Sequence, residues 1–158
     1  ENTHGPSTIT IVVNVGANCR VSHKNILWRG AAAIALATRL EDAGYRVEIW
    51  AGWRTVGLRG VGFKITGVHA VCLKRPEEVL DRSTMIGAVS GWFFRTVFFR
   101  SACRGTKEVA MGLGHSTSLK DADLDYITPD QNRVCINDAF TYEDAVGEVQ
   151  NVLRQLPQ

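Results

Sequence analysis

Apolar residues along the chain fall into five strand-type segments and three longer helical ones. Residues 8–14, TITIVVN, are rich in β-branched side chains and turn apolar on both faces, as a central strand covered on both sides would be. Residues 24–43 place Ile26, Ala33, Leu36, Ala37 and Leu40 at helical spacing, with Arg29, Arg39 and Glu41 assigned elsewhere on the helix. Ser22 reads as its N-cap and Gly44 as its left-handed stop. Residues 45–53 and 63–74 read as strands joined by the glycine-rich turn VGLRGVG. That link is too short for a crossover helix, so the two strands are expected to form an antiparallel hairpin, ended by Pro76. Residues 77–105 are expected to be helical in two pieces, broken near Asp81–Ser83. Residues 108–116 read as a short strand running into a loop, Asp121–Asp125 as one helical turn, and 133–138 as the last strand. Thr141 caps a final amphipathic helix, with Asp144 at capping-box spacing. Its stripe is Val146, Val149, Val152, Leu153 and Leu156.

This order, β-α-β-β-α-β-(α)-β-α, predicts an α/β fold of three layers. The sheet is expected to be mostly parallel with one antiparallel edge hairpin, and helices cover both faces. Residues 1–7 read as a flexible lead-in without a signal peptide, and 8–158 as a single domain. The chain has 158 residues, 45% apolar and 22% charged, enough to bury a real core. The net charge of +2 supplies no field that would point to nucleic acid or a membrane surface. There is no apolar run of about 18 residues, so no membrane span is expected. Cys19, Cys72, Cys103 and Cys135 form no C-x-x-C pair and read as free thiols of a reducing, cytoplasmic compartment.

The first strand and its loop, the stretch RGAAAIALATRLEDAGYRVEIWAG and the hairpin after it together resemble the von Willebrand factor A-like fold. The resemblance covers residues 8 to 156 and implies a von Willebrand factor A-like or Rossmann-like architecture. Members of that family often hold a divalent cation through an Asp-x-Ser-x-Ser loop, a threonine from a second loop and an aspartate from a third. On that pattern Asn14 stands at the aspartate position, Gly16 at the first serine and Asn18 at the second. Thr84 stands for the threonine, and the third loop, GLGHS, has no aspartate. Hard cations require charged oxygen ligands, so the loop reads as degenerate, with no metal and no cofactor.

Other constellations are weaker. Asp121, Asp123 and Asp125 lack the glycine and glutamate that a calcium loop needs at its sixth and twelfth positions, and read as a solvated acidic turn. His115 with Ser116 and Asp121 or Asp138, and Cys19 with His23, match residue types of hydrolytic sites without a motif. The most unusual stretch is GWFFRTVFFRSACRG, whose rings exceed what one helix face can bury. With the hairpin residues Trp53 and Arg54, it supplies the candidate partner-binding set: Trp92, Phe94, Arg95, Phe98, Phe99 and Arg100. The expectation is a non-enzymatic protein-binding or assembly module, contacting a protein partner or another copy of itself. Two alternatives stand beside it. One is a metal-assisted hydrolase of phosphoesters or peptides using Asn14, Asn18, Thr84, His115 and nearby aspartates. The other is a nucleic-acid adaptor using Arg95, Arg100 and Arg104.

Overall fold

The computed structural model describes residues 7–17, 21–59, 63–98, 100–101, 116–129 and 132–155. Strand β1 (Thr8–Asn14) is the centre of the sheet, flanked in parallel by β2 (Arg46–Arg59) and β5 (Arg133–Ile136). Its burial on both faces follows from the apolar run Ile11–Val13, which fills both sides of the strand, with the buried Thr10 donating to Glu48 Oε2 at 3.2 Å. β2 turns back antiparallel into β3 (Phe63–Lys74), the expected hairpin, which forms one edge. Beyond the end of β1, β2 also pairs with the two-residue β4 (Ser116–Thr117). The sheet is therefore mixed: β1 pairs in parallel with β2 and β5, while β2 pairs antiparallel with β3 in the hairpin and with the short β4.

Strand alternation sorts the side chains into two faces. One carries Ile9, Ile11, Val13, Val47, Ile49, Ala51, Trp53 and Ile136, and it holds the larger core. Four helical segments cover it: α1 (His23–Asp42), α2 (Arg82–Ala88), α3 (Gly91–Phe93, continuing into a π-helical turn at Phe94–Phe98) and α5 (Tyr142–Gln155). The opposite face carries Val12, Trp50, Val68, Ala70 and Cys135. Among the described residues only α4 (Asp121–Ile127) covers it, through Leu124 and Ile127 together with Leu119 just before it.

The caps behave as the sequence indicates. Asn25 N donates to the Ser22 hydroxyl at 3.2 Å, and Gly44 ends α1 at a φ of +89°. Thr141 and Asp144 complete a reciprocal capping box at 3.0 and 3.1 Å. The region from 77 differs from expectation. Asp81 accepts from Ser83 N and Thr84 N, so helix begins only at Arg82, and residues 77–80 form a turn and extended chain. The interruption falls instead at Val89–Ser90, where Ser90 caps the next turn by accepting from Phe93 N at 3.1 Å. A local side-chain cap ends or starts a helix more decisively than periodicity does.

Helix α1 lies close to the α2–α3 connection because Gly30 and Gly91 lack side chains. A methyl at Gly30 would overlap Val89, and one at Gly91 would sit 2.9 Å from His23 Nδ1. Gly30→Ala is therefore expected to lower stability by about 2 kcal/mol through overpacking, seen as a reduced urea midpoint. An unchanged midpoint would mean that α1 and the Val89 turn are not in close contact.

Candidate functional site

The C-terminal rim of a parallel sheet is where α/β proteins place ligands, and here β1 ends in Asn14. Its side chain is buried and fully used. Oδ1 accepts from Gly16 N at 3.0 Å, while Nδ2 donates to Asn137 Oδ1 at 3.2 Å and to the Thr117 carbonyl at 3.3 Å. Asn137, just past β5, is tied in turn to Leu119, accepting from its N–H at 2.9 Å and donating to its carbonyl at 3.1 Å. Two asparagines thus knit together the ends of β1, β4 and β5. An amide suits this work because it donates and accepts at once.

The group that dominates the rim is Arg29, from the second turn of α1. Only 3% of it is exposed, and one guanidinium nitrogen donates to the carbonyls of both Asn14 and Gly16 at 2.7 Å. The guanidinium also lies 4.1 Å from the centre of the Phe140 ring. No carboxylate reaches ion-pair distance of it among the described residues. Burial pulls its pKa down from 12.5 to about 10, against the charges of Asp138 and then Cys135, so it remains a cation at neutral pH. Asp138 meanwhile receives the Ser118 hydroxyl at 3.4 Å. The Glu148 carboxyl is pushed up by burial first, then by Asp138 and Asp144.

Of the residues expected at a metal loop, the structure places Asn14 in this network and Gly16 beside it, while Asn18 lies outside the described residues. Thr84 is in the first turn of α2, where its hydroxyl donates to Asp81 Oδ2 at 2.6 Å. No group of three or more His, Cys, Asp or Glu side chains among the described residues is placed to hold a metal ion. The donor set is equally unsuited. The Asn14 oxygen is engaged, and a fixed cation already holds the loop carbonyls. A divalent ion about 6 Å from that guanidinium would be opposed by about 5 kcal/mol at an effective dielectric of about 20. Spacing held a signal for Arg29, which stands three residues after Ile26 and four before Ala33, on the buried stripe.

The expected contact residues separate into two groups. Trp53 is 3% exposed and Phe94 and Phe98 are also buried, which corrects their assignment as surface contacts. They form an aromatic cluster. Trp53 stacks on His69 at 4.7 Å and meets Phe94 at 5.5 Å and Phe98 at 5.0 Å, so the rings lock the π-helical turn onto the hairpin. Burial lowers the His69 pKa. Arg54 is not a contact residue either. Its Nε lies 3.3 Å from Asp123 Oδ2, and it donates to the Thr117 hydroxyl at 3.2 Å. Arg95 anchors inward, donating to the Val21 carbonyl at 3.0 Å and lying 3.1 Å from His23 Nε2. Trp92, 62% exposed, and Arg100 face outward. Phe99, Arg104, Cys19 and His115 lie outside the described residues.

The acidic turn is also corrected. Asp123 is buried against Arg54 and accepts from Lys120 N at 2.8 Å, while Asp125 pairs with Arg133. Asp123 thus pins α4 to the sheet rather than lying in solvent, while Asp121 and Asp125 are exposed as expected.

Together these features define a three-layer α/β domain whose sheet rim is closed by its own amides and a buried arginine. Residues 1–157 match the family described as Domain of unknown function (DUF7192), and the chain belongs to that family. No curated protein and no solved structure matches it.

Arg29→Ala is expected to cost about 3 kcal/mol, since two buried carbonyls lose a charged donor and Phe140 loses its cation. Urea unfolding measures this, and a loss below about 1 kcal/mol would show that the carbonyls find other partners. The Cys135 thiol gives a second expectation. Burial first, then Glu148 and Asp138, push its pKa from 9.0 up to about 12. Above pH 9 the unfolded chain therefore releases this proton before the folded one does, and stability is lost between pH 9 and about 12. Cys135→Ala is expected to flatten that decline in urea titrations; parallel curves for the two proteins would rule the thiol out as its source.

Proposed function

We propose that the chain is a non-enzymatic protein-binding or assembly module of von Willebrand factor A type, with its metal loop replaced by the Arg29 tie. The observation that carries this reading is the outward face of α1. In a layered α/β fold the outer side of a helix normally meets water and is polar. Here it shows Leu27, Ala31, Ile34, Ala35 and Thr38. Two hollows flank it, one of about 750 Å³ toward α2 and one of about 350 Å³ toward α5, sharing Ala31, Ala35, Arg39 and Val149. Ile86, 53% exposed, forms one bank, and Tyr142 and Leu153 form the other.

Small residues along the floor allow a second helix to approach closely, and apolar banks suit a helix-in-groove mode of recognition. The trough's charges favour an acidic partner. Arg39 and Arg82 line it with one acid, Asp42, and none of the three is in an ion pair with a described residue. The occupant is accordingly an amphipathic helix of a partner protein, with an apolar stripe bordered by glutamate or aspartate. The free thiols of Cys72 and Cys135 support a reducing compartment as part of the same reading.

The test uses two labelled synthetic helical peptides with the same leucine stripe, one flanked by glutamates and one by lysines, followed by fluorescence anisotropy. The acidic peptide is expected to bind at least about tenfold more tightly than the basic one, and Ala35→Glu is expected to weaken it by about tenfold, or about 1.4 kcal/mol. Equal affinity for both peptides, or binding unaffected by Ala35→Glu, would overturn the reading.

A further inference from the structure

Strand β3 is an open edge of the sheet among the described residues. It pairs with β2 from Phe63 to Lys74, and no described strand lies on its other side. Proteins usually blunt such an edge with charge, proline, a bulge or a cover. The guards present here sit at one end. The register shift falls between Ile49 and Trp50, and the buried Lys74 turns inward to Glu41 at 2.9 Å and the Val47 carbonyl at 2.7 Å. The seven residues Gly67–Leu73 carry neither charge nor proline.

A groove of about 580 Å³ follows this unguarded stretch along Val68–Val71. Its walls come from both faces of the sheet, with Trp50 and Tyr126 on one side and Trp53 and Phe98 on the other. It therefore straddles the strand's edge, where backbone groups not paired with β2 point outward. Tyr126, 76% exposed, forms a lip.

We infer that this edge pairs with β3 of a second copy of the chain, antiparallel about a two-fold axis through Ala70. An isologous contact demands a self-complementary strand. An axis normal to the sheet keeps like faces together, so it passes through a residue, and Ala70 is the middle of the uncharged stretch. Val68 then lies opposite Cys72, His69 opposite Val71 and Gly67 opposite Leu73, with no like charges facing. No acidic, lysine or arginine side chain lines the groove, so nothing in it selects a charged foreign peptide. The result is one continuous sheet running through two copies. This surface is separate from the α1 trough and does not depend on it.

Sedimentation velocity of the whole chain from about 1 to about 200 µM tests this. The wild-type chain is expected to dimerise. Ala70→Lys and Ala70→Glu each place like charges on the axis and are expected to lose the dimer, while an equal mixture of the two is expected to regain it. Circular dichroism checks that both variants fold. Hydrogen exchange of the unmodified chain gives an independent reading, with amides of Gly67–Leu73 expected to slow as concentration rises. A wild-type chain that stays monomeric, dimers that persist in both variants, a mixture that stays monomeric, or exchange at β3 independent of concentration would each overturn the inference.

Discussion

The two hydrogen bonds from Arg29 to the carbonyls of Asn14 and Gly16 set the shape of the sheet's rim. They fix where β1 ends, how its loop leaves the sheet and how α1 returns over it. A buried cation needs compensation, and here two carbonyl dipoles on one guanidinium nitrogen and an aromatic face supply it without a carboxylate partner, while Arg29 Nε is buried with no hydrogen-bond partner among the described residues. The asparagines then fall into place around that fixed point. With the loop held from within the chain, the carbonyls of Asn14 and Gly16 and the Asn14 side-chain oxygen are already engaged, and no group of three or more acidic, histidine or cysteine side chains among the described residues is placed for a cation. That moves attention from the usual ligand position of an α/β sheet to its outer helix and its open edge.

Much of the architecture is legible in the sequence because it rests on local signals. The β-branched run at 8–14, the small-residue helix ended by Gly44, the short glycine-rich link of the hairpin and the Thr141–Asp144 box each name their element. The functional surfaces were less legible because they depend on tertiary placement. Arg29 sits on the apolar stripe of α1, yet a charged side chain there reads as solvated unless the loop carbonyls that receive it are known. Trp53 alternates to the opposite face from Trp50, as expected. Its burial was hidden because it depends on a π-helical turn arriving from 40 residues further on. Asp123 and Asp125 look solvated in isolation, since their arginine partners lie on strands distant in sequence.

The surplus of rings in GWFFRTVFFR is largely absorbed by that turn. A π turn widens the helix and alters which residues share a face, so Phe94 and Phe98 reach Trp53 together while Phe93 packs on Phe98 at 5.2 Å. A stretch that suggests an exposed adhesive helix is mostly an internal fastener. Trp92 and Val97 of that stretch stay exposed, and a further apolar surface lies on α1, in a segment whose alanines attract little notice because each is small.

The two sides of the sheet are fastened by different forces. The side under α1 and α5 is held by close-packed apolar contact, which added salt strengthens. Among the described residues the side under α4 is held by one two-turn helix, by the small apolar cluster of Val12, Leu119, Leu124 and Ile127, by the largely buried Arg54–Asp123 pair and by Arg133–Asp125, whose exposed carboxylate salt can screen. Among the described residues the domain therefore has a thickly covered side and a thinly covered one, and Tyr126, on α4, brings the thin one to the lip of the groove at β3. The groove there is lined from the thin layer by Tyr126 and Ile127 and from the thick layer by Trp53 and Phe98, so anything seated in it bears on both layers at once.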